Sequence, residues 1–320
     1  MSLHASPLND SNKQMHWHIQ GAGSLGCLWA ARFAAAGQSV TLILRNTDTL
    51  ARYRHNGTVR ISTADSTETT VYPIPAELPS STEPISHLLL ACKAYDAAAA
   101  IQQVAQRLNK DSRVVLLQNG LGSQQAVQAL LPNTPCIAAS STEGAFLAQP
   151  FHSVFAGRGE IWLGSLNNNP EPQALIENLQ GAQIHCRWTS QISTTLWRKL
   201  AINCAINPLT VIHDCSNGNL TEHAAVINTL CNELETLLHA AQQSVAAHNL
   251  NEQVWQVIQR TAANSSSMRQ DVHNKRRTEI SYMTGFACAQ SIALECPTPA
   301  LHALHAQLQT ALSMRGLPIS

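Results

Sequence analysis

The hydrophobic and polar positions in the first half of the chain follow two alternating patterns. Short apolar runs of strand length are separated by longer stretches with helical periodicity. The strand candidates are residues 16–20, 39–44, 87–92, 113–118 and 136–140, and the helix candidates include 25–36 and 96–108. Strands that alternate with helices of this length predict a doubly wound parallel sheet with helices on both faces.

The strand patterns end near residue 190. Before that point, two more polar strands are expected at 57–62 and 69–74, and an antiparallel addition to the sheet at 152–166. Beyond residue 190 the strand patterns vanish, and helical stretches cover about 191–206, 220–248, 251–264, 272–294 and 298–314. We therefore predict a disordered extension at 1–14, an α/β domain at 15–190 and an all-α domain at 191–320.

One helix of the second half carries a polar stripe on an apolar background. Lys199, Asn203 and Asn207 are spaced four apart, so they share one face of the helix. An ammonium and two carboxamides are costly to bury without partners. The stripe indicates either a wall that faces a small polar ligand or a structural network with internally satisfied hydrogen bonds, and the helix alone favours neither.

Composition narrows the class of protein. Of 320 residues, 44% are hydrophobic and 12% are charged, and 20 basic side chains balance 20 acidic ones. This balance gives no electrostatic reason to expect binding to nucleic acid or to an anionic membrane surface. Nine cysteines without a CxxC pair are typical of a reduced, cytoplasmic protein. The histidines form no metal-binding spacing, and residues 1–14 contain no membrane span.

The most specific local motif follows the first predicted strand and opens the first predicted helix. Its residues are Gly21, Ala22, Gly23, Ser24, Leu25 and Gly26. In such a loop the first glycine allows a tight turn, the second lets the backbone approach a pyrophosphate, and the third lets the helix pack closely on the strand. The context predicts a Rossmann-type dinucleotide site, in which free N–H groups of the helix face the anion.

Residues at the ends of later strands indicate which dinucleotide binds. Arg45 follows the second strand, where an acidic residue would bind the ribose of NAD, so NADPH is the expected cofactor. An ordinary solvated arginine is the alternative. Lys93 and Asn119 follow two further strands, at the edge where such sheets bind ligands. The lysine suits a phosphate or substrate anion, and the asparagine suits nicotinamide or substrate, although Asn119-Gly120 is also common turn chemistry.

Several blocks of the chain, in their order and spacing, resemble the ketopantoate reductase (2-dehydropantoate 2-reductase) family. The resemblance covers nearly everything after residue 15. Its most specific parts are Gly21–Gly26, Cys92–Ala94, Gln118–Gly122, Leu196–Thr210, Asn217-Gly218, Asn264–Asp271, Arg277–Ile280 and Gly285-Phe286. The loop at 142–147 departs from the pattern, because it lacks the basic residues of some members. The resemblance implies NADPH-dependent reduction of ketopantoate to pantoate, in pantothenate and coenzyme A biosynthesis.

The resemblance also implies roles for individual residues. Lys199 matches the lysine that donates a proton to the ketone oxygen, and Glu279 matches the glutamate that orients lysine and substrate. The implied substrate contacts are Asn203, Asn207, Asn217, Asn264, Ser267 and Asn119. The implied cofactor contacts are Gly21–Gly26, Arg45, Lys93, Asn119 and Glu279. We expect Lys199 and Glu279 to lie side by side on neighbouring helices and to titrate as a coupled pair.

The chemistry implied for these residues is that of a ketone reductase. Nicotinamide supplies hydride, Lys199 supplies the proton and stabilises the developing alkoxide, and Ser267 with backbone amides holds the carboxylate. Two alternatives stay open: a reductase of another 2-keto acid, and an NADP(H)-sensing protein without turnover. The alanine-rich helices leave both a monomer and a homodimer open.

Overall fold

The structure is a computed structural model that describes residues 15–167 and 169–320, so the extension predicted at 1–14 lies outside the described residues. The strands are β1 (His16–Gln20), β2 (Ser39–Ile43), β3 (Thr58–Thr63), β4 (Thr69–Pro73), β5 (Ala76–Glu77), β6 (His87–Leu90), β7 (Arg113–Leu116), β8 (Cys136–Ser141), β9 (Gly144–Gln149), β10 (His152–Gly157), β11 (Ile161–Ser165) and β12 (Cys186–Trp188). The α-helices are α1 (Ser24–Ala35), α2 (Thr47–Asn56), α3 (Ala94–Val104), α4 (Ser123–Leu130), α5 (Gln173–Gly181), α6 (Ile192–Ile212), α7 (Ala224–Ala240), α8 (Ser244–Ala247), α9 (Leu250–Arg260), α10 (Ser267–His273), α11 (Thr284–Ala293) and α12 (Pro299–Met314).

An eight-stranded sheet organises the first half, in the order β12-β11-β8-β7-β6-β1-β2-β5. The six strands from β8 to β5 run parallel, and β11 adds antiparallel to β8. The chain turns from one side of β1 to the other between β5 and β6, so the carboxyl ends of β1 and β6 flank the switch point of the sheet. Ligands bind in the crevice at such a point.

Helices cover both faces of this sheet, as the alternating pattern predicts. On one face α1 and α5 pack with a second, four-stranded sheet in the order β4-β3-β10-β9. Trp17 of β1 stacks on Phe33 of α1 with ring centroids 4.8 Å apart. On the other face α3 and α4 cover the sheet through apolar side chains such as Ile101 and Val127. The predicted α/β class is therefore confirmed.

The second half is helical, and none of residues 191–320 lies in a strand. Helix α6 runs through its core, with Leu200, Cys204 and Leu209 buried among α7, α9 and α12. Its first turn packs against β11 so closely that a Cβ on Gly164 would stand 2.5 Å from the Cβ of Ile192. Lys199 follows Ile192 by seven residues, about two helical turns, so it lies on the same side of α6, which faces the sheet.

Three differences from the sequence expectations bear on the site. The loop expected at 142–147 is mostly strand β9, which pairs with β10. Helix α6 continues through Pro208 to Ile212, because the apolar packing around it outweighs the hydrogen bond that proline cannot donate. The single helix expected at 272–294 is broken, since α10 ends at His273 and α11 begins at Thr284. The irregular segment between them carries Glu279.

Within residues 15–167 and 169–320, no helix is both long enough and apolar enough to cross a membrane.

Candidate active site

The glycine loop lies between β1 and the start of α1, as predicted. Gly21 has φ of +114°, and a Cβ there would stand 2.5 Å from the backbone nitrogen of Cys92. A Cβ on Gly26 would collide with the carbonyl oxygen of Gly21. The fold itself therefore requires glycine at both positions, for the turn and for the close packing of helix on strand.

Gly23 is different, because the protein does not require a glycine there. Its φ of −78° and ψ of −171° suit any residue, and a Cβ would come no closer than 3.9 Å to another protein atom. Gly23 is also the N-cap of α1, so unpaired N–H groups follow it. This open cradle lines the cleft and fits an anionic group that must approach the backbone closely. Gly21, Ala22, Ser24 and Leu25 also line the cleft, whereas Gly26 lies behind it.

Arg45 lies just beyond β2, exposed on the wall of the same cleft. In the described part of the chain its guanidinium makes no hydrogen bond or ion pair with another residue. Asn46 beside it caps α2, because its Oδ1 accepts a hydrogen bond of 2.8 Å from the Thr49 nitrogen. Asp48 belongs to the first turn of α2 and is exposed. The cation at the end of β2 is therefore available to a ligand.

Lys199 reaches across from α6 to the carboxyl edge of the sheet. Its Nζ donates a hydrogen bond of 2.9 Å to Oδ1 of Asn119 and one of 2.6 Å to the carbonyl oxygen of Ser141. Asn119 follows β7, and Ser141 ends β8. An ammonium has three N–H bonds, so one of them lacks an acceptor among the described residues.

Burial lowers the pKa of Lys199 from 10.5 to about 8, although the negative charge of Glu279 acts in the opposite direction. Both direct acceptors of the ammonium are neutral, so they hold it in place without compensating its charge. A lysine with this pKa is still mostly protonated at neutral pH. It is also a stronger acid than a solvated lysine, which suits proton donation.

Glu279 is almost completely buried, with 3% of its surface exposed, and it contacts the sheet half of the chain. Its Oε1 accepts a hydrogen bond of 3.0 Å from the Ala94 nitrogen at the start of α3. Its Oε2 lies 3.3 Å from Nζ of Lys93 and accepts a hydrogen bond of 3.4 Å from Nδ2 of Asn119. Lys93 also forms an ion pair of 2.5 Å with Asp271 of α10.

The expected side-by-side arrangement of Lys199 and Glu279 is wrong. Glu279 lies in the irregular segment after α10, and its carboxylate pairs with Lys93. The amide of Asn119 stands between the two groups, since it accepts from Lys199 and donates to Glu279. The two groups still interact electrostatically, because the charge of Glu279 acts on the pKa of Lys199. Their interaction is therefore one of charges at a distance, with Asn119 hydrogen-bonded to both groups.

The pKa of Lys93 is raised, whereas that of Lys199 is lowered. Burial alone would lower the pKa of Lys93, but the charges of Glu279 and Asp271 outweigh it, and the pKa rises above its usual value. Burial raises the pKa of Asp271, and its ion pair with Lys93 opposes that shift. Lys93 is therefore a permanent cation in the cleft.

The remaining predicted residues line the helical wall of the cleft. Asn203 lies one turn beyond Lys199 on α6, and Asn207 another turn further, where its Nδ2 lies 3.8 Å from the sulfur of Met283. Asn217 donates from Nδ2 to Thr261 at 2.8 Å, and its buried Oδ1 has no partner among the described residues. Asn264 and Ser267 are exposed near the start of α10. The structure thus brings together all the predicted site residues except Gly26.

Three site residues had no role in the sequence prediction. Ser141 acts through its carbonyl, which no side-chain pattern reveals. Asp271 belongs to the Asn264–Asp271 block, whose spacing from Glu279 was the available signal. Ser266 caps α10 by accepting from the Arg269 nitrogen at 3.1 Å, and so fixes the neighbouring Ser267. Within the described residues no cluster of histidine, cysteine, aspartate or glutamate is arranged to hold a metal ion.

Two family models match the chain. The model described as ketopantoate reductase PanE/ApbA matches residues 17–168, and the model of its C-terminal part matches residues 191–311. The 2-dehydropantoate 2-reductase of Vibrio cholerae is 33% identical over 295 residues, which cover 91% of this chain and 96% of the relative. The enzyme of the same name from Halobacterium salinarum is 28% identical over 291 residues, covering 89% and 95%.

Solved structures share the fold. A PanE/ApbA family ketopantoate reductase from Ralstonia eutropha superposes with a TM-score of 0.84 at 24% identity, covering 94% of this chain and all of that one. A D-mandelate dehydrogenase, in a ternary structure with NADH and anilino(oxo)acetate, superposes with a TM-score of 0.86 at 21% identity and the same coverage. The sequence matches, which span both halves of the molecule, decide the assignment: the chain belongs to the ketopantoate reductase PanE/ApbA family.

Proposed function

We propose that this protein reduces ketopantoate to pantoate with NADPH, a step of pantothenate and coenzyme A biosynthesis. The observation that carries the proposal is the position of the Lys199 ammonium. It lies in the cleft that the glycine loop also lines, held by two neutral acceptors with one N–H left for a ligand. An ammonium in this position can donate a hydrogen bond, and then a proton, to the ketone oxygen of a 2-keto acid.

Proton transfer is the task of Lys199 in this reaction. The nicotinamide ring, when bound, supplies the hydride to the carbonyl carbon. The free N–H of Lys199 donates its proton to the carbonyl oxygen, and its charge stabilises the oxygen as negative charge develops there. Asn119 and the Ser141 carbonyl fix the direction of the remaining N–H bond. Glu279 acts through Asn119, by orienting its amide and by limiting the fall in the pKa of Lys199.

The residues that hold the cofactor follow from the sheet half of the cleft. The N–H groups after Gly23 would hold the pyrophosphate, and the free guanidinium of Arg45 would hold the 2′-phosphate that distinguishes NADPH from NADH. Lys93, a cation fixed by two carboxylates on the wall of the same cleft, would supply a further positive charge to the cofactor.

The residues that hold the substrate line the helical half. Ser267 and Asn264 are exposed on the wall opposite the sheet and bind the carboxylate and hydroxyl groups of ketopantoate. Asn203 and Asn207 lie beyond Lys199 on the same helix face, where neutral amides orient the substrate without changing the charge of the site. Asn217 lines the same half of the cleft and is a further substrate contact in this proposal.

The broader setting is part of the same proposal. Residues 15–190 form the nucleotide-binding domain, residues 191–320 form the helical substrate domain, and the reaction takes place between them. The protein is cytoplasmic, works as a monomer or homodimer, and has a small-molecule substrate with no nucleic-acid partner. The balanced charge and the reduced cysteines support this setting.

A spectrophotometric assay of NADPH oxidation tests the proposal. Ketopantoate should give the highest kcat/KM in a panel that also holds pyruvate, 2-ketoisovalerate and phenylglyoxylate, the keto acid that corresponds to mandelate. NADH should give a lower kcat/KM than NADPH. A higher value with another keto acid would reassign the substrate. NADPH binding without turnover of any member would favour an NADP(H)-sensing protein.

A further inference from the structure

A buried ion pair joins helix α1 to the turn between β8 and β9. Nη1 and Nη2 of Arg32 donate to the two carboxylate oxygens of Glu143 at 3.1 and 2.7 Å, as a two-pronged contact. Nε1 of Trp29 donates to Glu143 at 3.4 Å, and the Arg32 guanidinium lies 5.4 Å from the ring centre of Phe155. Only 17% of the Arg32 side chain and 6% of the Glu143 side chain are exposed.

This pair is two residues from the carbonyl that holds Lys199. The Glu143 nitrogen donates to Oγ of Ser141 at 3.2 Å, so the carboxylate and the Ser141 carbonyl belong to one rigid turn. The turn is closed from the other side, because the Thr142 nitrogen donates to the Glu160 carbonyl at 2.9 Å. A Cβ on Gly159 would collide with the backbone of Thr142, so the turn has no room to shift in that direction.

The energetics of a buried ion pair favour a positional role over a stabilising one. The desolvation of two charges costs about as much as their attraction returns, so such a pair adds little net stability, whereas its geometry is highly directional. The reaction mechanism above does not use this pair. The contact that links it to the chemistry is the Ser141 carbonyl, 2.6 Å from Nζ of Lys199.

We infer that Arg32 and Glu143 are positioning residues, which hold the Ser141 carbonyl so that the ammonium of Lys199 points at the substrate. This inference rests on the proposed ketopantoate reduction. Arg32 does not line the cleft, and the carboxylate of Glu143, which does, is engaged by Arg32 and Trp29. Glu143 acts on Lys199 through the turn, and Arg32 acts through Glu143.

The test is the variant Glu143→Gln, which keeps the size of the side chain and removes its charge. The amide presents a donor where Arg32 needs a second acceptor, so the turn loosens and the Ser141 carbonyl moves away from Lys199. We expect kcat for ketopantoate to fall about ten- to a hundredfold, as a displacement of about 1 Å at a reacting group does. The KM for NADPH should stay within about twofold, because the glycine loop is untouched.

A second measurement reads Lys199 without turnover. The rate at which limiting acetic anhydride acetylates Lys199 in the ligand-free protein, followed by peptide mass spectrometry from pH 6 to 11, gives the pKa of the group. In the wild type we expect about 8, since burial sets this value. In Glu143→Gln, water enters beside the ammonium, and the pKa rises toward 10.5.

The matched control is Glu77→Gln, which breaks a comparable pair outside the cleft. Glu77 lies 2.5 Å from Nη2 of the buried Arg107 and does not line the cleft. The control should lower the melting temperature and leave the pKa of Lys199 unchanged. Arg32→Lys keeps the positive charge but cannot make the two-pronged contact, so it should give a kcat between those of the wild type and Glu143→Gln. It also serves as the test variant if Glu143→Gln does not fold.

An unchanged Lys199 pKa and an unchanged kcat per folded molecule in both Glu143→Gln and Arg32→Lys would overturn the inference. A wild type that does not reduce ketopantoate would refute the proposed function instead. In that case the acetylation profile still decides whether the Arg32–Glu143 pair positions Lys199.

Discussion

The assignment of Lys199 as the proton donor predicts a specific pH dependence of kcat/KM for ketopantoate. Burial places its pKa at about 8, and only the protonated amine is an acid. About nine-tenths of the lysine is protonated at pH 7, and about one-tenth at pH 9. The parameter kcat/KM for ketopantoate, which reports the protonation of the enzyme before the keto acid binds, should therefore fall about tenfold between these two values.

The variant Lys199→Ala should remove both the rate and this pH dependence. Loss of a positioned general acid lowers kcat by about two to four orders of magnitude. The remaining rate, which takes its proton from water, should be constant from pH 7 to 9. The affinity for NADPH should change little, because the glycine loop and Arg45 lie on the other half of the cleft. Lys110→Ala, at an exposed lysine outside the cleft, is the matched control.

The measurement is steady-state NADPH oxidation across the pH range, repeated with NADPH deuterated at the transferred position. A primary isotope effect on kcat/KM confirms that the chemical step contributes to the observed rate. A wild-type kcat/KM for ketopantoate that stays constant from pH 7 to 9 with a full isotope effect would refute the pKa argument. A Lys199→Ala enzyme with wild-type kcat would refute the proton-donor role itself.

Three further changes test other parts of the molecule. Gly23→Ala should leave the melting temperature unchanged, because the added Cβ has room in the protein, and should raise the Kd for NADPH about tenfold or more, whereas Gly21→Ala should destabilise the fold. Arg45→Ala should raise the KM for NADPH about tenfold and leave the KM for NADH unchanged. Equal effects on the two KM values would contradict a contact between Arg45 and the 2′-phosphate. Burial lowers the pKa of His18 and His87 from 6.5 to about 4. As the pH falls, these two histidines are therefore protonated in the unfolded chain before they are protonated in the folded protein. The free energy of unfolding should be fully retained above pH 6.5 and fall toward pH 4, and a urea midpoint equal at pH 7 and pH 5 would contradict this.

The main parallel strands of the sheet half and the first crossover helix could be predicted from the sequence because their signals are local. Buried parallel strands read as apolar runs, and the glycine loop marks the first crossover. Strand β9 was not predicted, because Gly144–Gln149 is half exposed on a small sheet and its apolar pattern is weak. The break between α10 and α11 was also missed. Its cause is tertiary: Glu279 leaves the helix to bind Lys93 and the Ala94 nitrogen, contacts 185 or more residues away in sequence.

The site was predicted as a set of residues but not as a network. Spacing placed Lys199, Asn203 and Asn207 on one face, and all three line the cleft in the structure. Which groups bond to which depends on how two halves of the chain meet, and no local pattern encodes that. The backbone carbonyl of Ser141 is the clearest example, because any residue at that position supplies the same acceptor.

The position of Asn119 explains why one carboxylate gives two lysines different acid strengths. Glu279 contacts Lys93 directly, and together with Asp271 it raises the pKa of that lysine, which stays a cation. Lys199 is separated from the same carboxylate by one amide, and there burial outweighs the charge and lowers the pKa to about 8. A direct ion pair would have held the proton on Lys199 too firmly for transfer to a ketone oxygen near neutral pH. The amide keeps the two groups oriented while it separates their charges, so the arrangement that contradicts the expected Lys199–Glu279 contact is the one that leaves Lys199 able to act as an acid.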